Sequence, residues 1–238
     1  CRQLNKSFGK VWVLKNVSLV IQKNEIFGIL GLNGAGKTTL LKCILGFLSP
    51  TSGTILFYDK ALVSCDVQQK FSYLPESFQL FRELTALELT EIFANTLGKS
   101  SVYAKEALST VGLLSVAKRR IRTFSRGMQQ RLGLALCLMK EPEVLILDDP
   151  FLGLDVAGQL SVIQILEKLK KKGTTIIFSS HTLAQVEKIV DSVAIIDQGE
   201  IIFSGTKESF LSSGQTQNLE TAFLKVVRYE KNNWSCSA

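Results

Sequence analysis

The sequence predicts an α/β fold, and three observations carry that expectation. Apolar runs alternate between strand-like and helix-like stretches, the order found in α/β proteins. Gly31-Leu32-Asn33-Gly34-Ala35-Gly36-Lys37-Thr38-Thr39 fits the pattern G-x-x-x-x-G-K-[ST] and lies between an apolar strand and a helical stretch, the setting that a P-loop needs. The 238 residues, 46% hydrophobic and 21% charged, suffice for a substantial core and sit near the upper limit of one compact domain, so one domain with an insertion is expected.

Taken in order, early strands are expected at Val17 to Ile21, Ile26 to Leu30 and Thr54 to Tyr58, with the glycine-rich turn and a helix from Lys37 to Leu45 between the last two. From Thr85 to Leu114 the pattern becomes helical. Thr85 and Glu88 form a capping box, Leu89, Ile92, Phe93 and Leu97 share one face, and Ala104, Ala107, Leu108 and Val111 form a second stripe. A further helix starts after Ser125, with Leu132, Ala135, Leu136 and Met139 on its apolar side, and a buried strand follows at Val144 to Leu147. The helix carrying Val162, Ile165, Leu166 and Leu169 ends in Lys170, Lys171, Lys172 and Gly173, a basic last turn and a glycine stop. Strands at Thr174 to Phe178, Val193 to Ile196 and Ile201 to Phe203 complete the α/β part. A short amphipathic helix at Leu219 to Val226 precedes a polar tail, 228–238.

Composition excludes several classes. The apolar fraction is globular and no long polar tract occurs, which argues against disorder. The longest apolar stretches, such as Leu132 to Met139 and Ile26 to Leu32, stop far short of the ~20 residues that span a bilayer. The net charge of +7 favours anionic partners without choosing among nucleotide phosphates, nucleic acid and an acidic membrane surface. Cys1, Cys43, Cys65, Cys137 and Cys236 are odd in number and form no Cys-x-x-Cys pair, so they read as reduced cytosolic thiols. The chain opens at Cys1 without an initiator Met or a signal-peptide pattern, and a few native residues are expected to precede it.

Three segments carry chemistry. In the P-loop, glycines let successive backbone N–H groups converge on phosphate oxygens and the helix N-terminus adds its dipole. Lys37 neutralises the β and γ phosphates, and the Thr38 hydroxyl ligates Mg²⁺. Val144-Leu145-Ile146-Leu147-Asp148-Asp149-Pro150 is a buried strand ending in two carboxylates. Beside a P-loop this assigns Asp148 to the Mg²⁺ shell and Asp149 to the attacking water. Phe124-Ser125-Arg126-Gly127-Met128-Gln129-Gln130-Arg131 offers a hydroxyl and N–H groups at a helix start.

With that third segment just before the acidic strand, the sequence strongly resembles the ATP-binding subunit of ATP-binding cassette (ABC) transporters, over almost the whole chain. The resemblance implies a RecA-like P-loop core, an N-terminal antiparallel β subdomain and an inserted helical subdomain at about 79–140, together making one nucleotide-binding domain over 1–227. It also implies roles that no single pattern flags. Phe8 matches the aromatic that stacks on adenine, and Glu76, in Tyr73-Leu74-Pro75-Glu76, falls where a glutamine usually contacts Mg²⁺ and water. Leu154-Asp155 matches the loop linking paired subunits, and His181 matches the switch histidine. The nucleotide contacts would then be Phe8, Gly31, Asn33, Gly34, Ala35, Gly36, Lys37, Thr38, Thr39, Ser125 and Gly127. Thr38, Glu76 and Asp148 would hold the metal, and Asp149, His181 and Glu76 would serve catalysis.

In such a family two subunits sandwich two ATP molecules, and Ser125 and Gly127 of one chain close the P-loop site of the other. Homodimer and heterodimer both remain open. A separate transmembrane permease would dock on the cytoplasmic face, near Phe78, Leu80, Phe81 and Leu84, and no nucleic acid partner is expected. The Ser-Arg-Gly-Met-Gln-Gln-Arg signature and Leu-Pro-Glu resemble the drug and small-molecule exporter branch. Three departures stand out: Asp149 for the usual Glu, Glu76 for Gln, and Phe-Ser-Arg-Gly-Met for Leu-Ser-Gly-Gly-Gln. Asp149 is shorter by one methylene, about 1.5 Å of reach, and a displacement of ~1 Å can cost ~10²-fold in rate. Slow hydrolysis is therefore expected, with an ATP-sensing cassette not engaged in transport as the alternative.

Overall fold

The computed structural model describes the backbone of residues 1–235 and side-chain surroundings through Val227; Cys236 and the end of the expected tail lie outside the described residues. The chain divides into two compact units, one made of Cys1–Ser64 with the segment from Ile177 onward, the other of Cys65–Ile176.

In the first unit, β1 (Arg2–Phe8) and β2 (Val11–Val17) form an antiparallel hairpin that turns at Gly9. β4 (Ser52–Thr54) pairs with the other edge of β1, giving the order β2-β1-β4, the antiparallel subdomain that the resemblance implied. The strand expected at Val17 to Ile21 is not there. β2 ends at Val17, and the following residues run without strand pairing to β3 (Ile26–Leu30), with Val20 73% exposed. The alternation across Val17 to Ile21 reflects an extended lead-in whose Leu19 is tied to Cys1 by backbone hydrogen bonds. The strand expected at Thr54 to Tyr58 splits into β4 and β5 (Leu56–Phe57), and β5 pairs with β6 (Lys60–Ala61). Tyr58 and Asp59 both take positive φ there, which fits the right-handed twist of a two-residue hairpin.

β3 is apolar and buried along its whole length, as a strand covered on both faces must be. It pairs in parallel with β10 (Ser192–Asp197), and β10 pairs antiparallel with β11 (Glu200–Thr206) through a turn at Gln198 and Gly199. β9 (Thr175–Ser180) lies on the other side of β3, giving the order β11-β10-β3-β9. Among the described residues four helices belong here: α1 (Lys37–Ile44), α7 (Leu183–Val186), α8 (Lys207–Ser213) and α9 (Leu219–Ser235). α9 runs through most of the segment expected to be a polar tail.

The second unit pairs β7 (Phe71–Leu74) in parallel with β8 (Val144–Asp148), preceded by the short α2 (Ser64–Lys70). α3 (Ala86–Thr96), α4 (Ser101–Thr110) and α5 (Arg126–Leu138) fall within 79–140. The capping box forms as expected. Glu88 N–H donates to Thr85 Oγ1 at 3.1 Å and Thr85 N–H to Glu88 Oε2 at 2.7 Å. Ala94, Ala104 and Met139 make a buried cluster, with Phe93, Leu97, Tyr103, Ala107 and Leu136 packed on it, so the two predicted stripes meet. Ile92, assigned to the same face, is 52% exposed and sits off the edge of the stripe. α6 (Val156–Lys171) closes the unit, with Asp155 as N-cap and the basic last turn before Gly173. Among the described residues no helix is long and apolar enough to cross a membrane.

Candidate functional site

The first unit carries the P-loop between β3 and α1. Gly31 is required by close approach: a Cβ there would run into the backbone oxygen of Ile196 and lie 3.0 Å from its Cγ2. Gly36 takes a φ of +109°, and a Cβ would meet Leu14 and the Val13 oxygen at 3.0 Å. Gly34, at φ +81°, faces open space. Asn33 is exposed, Ala35 is buried and Thr38 and Thr39 are half-buried. The β10–β11 turn braces the loop, because Gly199 N–H donates to the Ala35 oxygen at 3.0 Å.

Lys37 is only 6% exposed, and its ammonium donates to the Gly31 oxygen at 2.9 Å and the Leu32 oxygen at 3.0 Å. A buried cation is thus wrapped by the loop it serves. α1 begins with no side-chain cap and no acid in its first turn. Buried ammonium, glycine-shaped concavity and a helix start without an acid are the features that suit phosphate oxygens.

Phe8, at the end of β1, is half-exposed, with the Lys6 ammonium 4.9 Å from its ring centre. His181 is exposed just after β9, in a turn where Thr182 N–H donates to Ser180 Oγ at 3.0 Å.

The second unit carries the acidic turn. Asp148 ends β8 and is 2% exposed; Tyr73, on β7, donates its hydroxyl to Asp148 Oδ2 at 3.4 Å. Burial first, then the negative charges of Asp148 and Glu76, push the Tyr73 phenol well above its usual range. It stays a protonated donor, and Glu76, itself exposed, belongs to this neighbourhood. Asp149 takes a φ of 46°, a left-handed conformation that Asp tolerates better than longer side chains. The Thr38 hydroxyl in the first unit and the Asp148 carboxylate in the second are each hard oxygen donors, the ligand type that Mg²⁺ takes.

Ser125 caps α5, accepting from Met128 N–H at 3.3 Å, and it is exposed. A Cβ on Gly127 would meet Leu154 Cδ2 at 3.6 Å, an ordinary contact. Asp155 caps α6, accepting from Gly158 N–H at 2.7 Å. The second unit therefore brings together Tyr73, Asp148, Asp149 and Glu76 in one group, and Ser125 and Gly127 with the Leu154–Asp155 turn in another. Tyr73 was not singled out from sequence as a functional residue. It stands two positions before Pro75, but only its pairing opposite Ile146 sets it beside Asp148.

The stretch expected to receive a membrane subunit is not uniform. A Cβ on Gly133 would lie 2.6 Å from Phe78 Cζ and 2.8 Å from Leu74 Cδ1, so Phe78 packs on α5, whereas Phe81 is 72% exposed. We expect Phe78→Ala to cost about 2–3 kcal/mol in urea unfolding and Phe81→Ala to change stability by less than ~0.5 kcal/mol. Equal costs would mean that Phe78 is not a packing residue.

The family profile described as ABC transporter matches residues 14–152. An uncharacterized ABC transporter ATP-binding protein from Nostoc, all4389, is 42% identical over 218 residues, covering 89% of this chain but only 65% of its own length. The lantibiotic transport ATP-binding protein SrtF of Streptococcus pyogenes is 36% identical over 230 residues, 97% of both chains. Among solved structures, the dimeric post-hydrolysis state of the ATP-binding cassette MJ0796 bound to ADP and Pi is 25% identical. It covers 86% of this chain and 97% of its own, with a TM-score of 0.76.

Proposed function

Since the chain belongs to the family of ABC transporter ATP-binding proteins, we propose that it binds and hydrolyses MgATP and so powers a separate transmembrane permease, in the direction of export. The observation that carries the reading is the Lys37 ammonium, buried in the P-loop and held by the carbonyls of Gly31 and Leu32. A cation so placed has its stem fixed in the loop, and its donors turn from these carbonyls to phosphate oxygens when nucleotide binds.

In this reading the backbone N–H groups of the loop bind the phosphates, Lys37 offsets the charge on the β and γ groups, and Phe8 stacks on the base. Mg²⁺, when bound, would neutralise charge developing on the phosphate oxygens, with Thr38, Asp148 and Glu76 as the residues that hold it directly or through water. Tyr73 keeps the Asp148 carboxylate in place. Asp149 accepts a hydrogen bond from the attacking water as the water oxygen bonds to the γ-phosphorus and the bond to the β–γ bridging oxygen breaks; one water proton stays on the phosphate, the other leaves past Asp149 to solvent, and ADP is released. His181 would steady the γ-phosphate from the other side.

The site is completed by a second nucleotide-binding subunit, whose Ser125 and Gly127 face the nucleotide. Two features support this. Ser125 is exposed, and Gly127 has room for a Cβ within its own chain, so the glycine answers to something that approaches from outside. The MJ0796 cassette was solved as a dimer with ADP and Pi. We expect Gly127→Leu to fold normally and to bind MgATP within twofold of the unsubstituted chain. In an Asp149→Asn background it should fail to dimerise with MgATP in sedimentation. A dimer population equal to that of Asp149→Asn alone would remove the signature from the composite site.

Export is supported by the relationship to SrtF, named for lantibiotic transport, across nearly the full length of both chains. The permease would hold this subunit peripherally on the cytoplasmic face. A slowly hydrolysing ATP-sensing cassette is the second reading, favoured by the short arm of Asp149. Steady-state phosphate release, together with co-purification of a membrane protein, separates the two: an exporter subunit gives both, and a sensor gives neither at appreciable level.

A further inference from the structure

Arg126 stands where the family pattern has glycine, and the roles above leave it unused. It occupies the first position of α5, where a cation opposes the helix dipole, and the first turn carries no acid to offset it. The structure gives it a different seat. A Cβ built on Gly153 would lie 2.6 Å from Arg126 Nη1, 2.7 Å from Cζ and 2.8 Å from Nε. Three atoms of one plane at nearly one distance mean that the guanidinium lies flat on Gly153. That glycine has a φ of +70°, a backbone that favours glycine, and a Cβ there would push the guanidinium off its seat.

One residue further on, Leu154 Cδ2 lies 3.6 Å from where a Cβ of Gly127 would stand, in ordinary contact. Residues 126 and 127 thus interlock with 153 and 154. Both turns are tied behind the contact. Gln129 Nε2 donates to the Phe124 oxygen and Gln159 Nε2 to the Leu154 oxygen, each at 3.1 Å, and the side chains of Phe151 and Leu154 are buried.

We propose that Arg126 is a positioning residue whose guanidinium locks the Phe151–Asp155 turn to the first turn of α5, so that both turns meet the nucleotide-loaded second subunit as one rigid edge. The proposal rests on the composite-site reading. The work is done by the shape of the group, since a planar guanidinium can lie on a glycine and the point charge of a lysine cannot.

The test uses the full chain in the Asp149→Asn background with MgATP, comparing Arg126→Ala, Arg126→Lys, Gly153→Ala and the Arg126→Ala/Gly153→Ala pair. Each single substitution is expected to weaken dimerisation by about tenfold and to leave MgATP affinity of the monomer within twofold. The pair is expected to be no worse than the worse single, because both break one contact. Hydrogen exchange at the amides of Leu152 to Leu154 should quicken in Arg126→Ala without nucleotide. Dimerisation of Arg126→Lys at the strength of the background chain, or additive losses in the pair, would overturn the proposal. If the background chain does not dimerise at all, the composite reading fails instead, and the exchange rates alone decide: faster exchange upholds the lock and unchanged exchange refutes it.

Discussion

Lys37→Ala is expected to lower MgATP affinity by about 10²–10⁴-fold and to bring turnover to background. The ammonium is buried and bonded to two loop oxygens, and a hydrogen bond to a charged group is worth about 1.5–3 kcal/mol. Two such bonds to phosphate oxygens account for the range. The substitution also takes a donor from the Gly31 oxygen, while the Leu32 oxygen keeps that of Ala35 N–H at 3.2 Å, so a modest loss of stability accompanies it and should be measured by thermal unfolding. Calorimetric titration with MgATP and phosphate release are the decisive measurements. Native affinity and turnover in this variant would end the P-loop assignment.

Asp149→Asn is expected to keep MgATP affinity and lose at least ~10²-fold in turnover, because the amide neither carries the charge nor accepts as strongly from water. The backbone makes this a clean comparison. Asp149 sits at a φ of 46°, and Asn is at home in that conformation, so the loss falls on chemistry alone. Asp149→Glu divides differently. The extra methylene restores about 1.5 Å of reach, and a ~1 Å displacement is worth ~10²-fold in rate. The longer side chain is less suited to the left-handed backbone, at a cost of up to ~1 kcal/mol in stability, or about 2–4 °C in Tm for a chain of this size. A faster but less heat-stable enzyme is expected. Hydrolysis by Asp149→Asn at the native rate would show that another group orients the water.

What could be seen in the sequence was whatever a short window determines. The Gly31–Thr39 loop, the acids ending β8, the Ser125 cap and the Thr85–Glu88 box all declare themselves within nine residues or fewer. β1, β2 and β7 escaped because their strand character is conferred by partners: Arg2, Lys6 and Lys15 break the apolar alternation, and Phe71–Leu74 is legible only beside Val144–Leu147. The same limit hid the Tyr73 hydroxyl at Asp148 and the Arg126 plane on Gly153, pairs separated widely along the chain. Arg126 did announce itself as a departure from the family pattern, though not what it leans on. Ile92 shows the opposite error, since a helical stripe read by spacing alone is drawn one residue too wide.

The order in which the chain is made bears on the unit that is built from two separate stretches. Phe27 in β3 pairs with Ser192 in β10, yet the whole of Cys65–Ile176 is synthesised between them. At roughly 5–20 residues per second this leaves β3, five apolar residues long, waiting about 10–30 s on the ribosome for its neighbour. Inside the intervening stretch the wait is about half as long, because Phe71 in β7 meets Val144 in β8. Closing the longer loop adds little to the final free energy, since the entropy grows only with the logarithm of length. The cost is kinetic: the nascent chain must shelter an unpaired apolar strand, and it is there that a holding chaperone or faster synthesis would most improve the yield of folded protein.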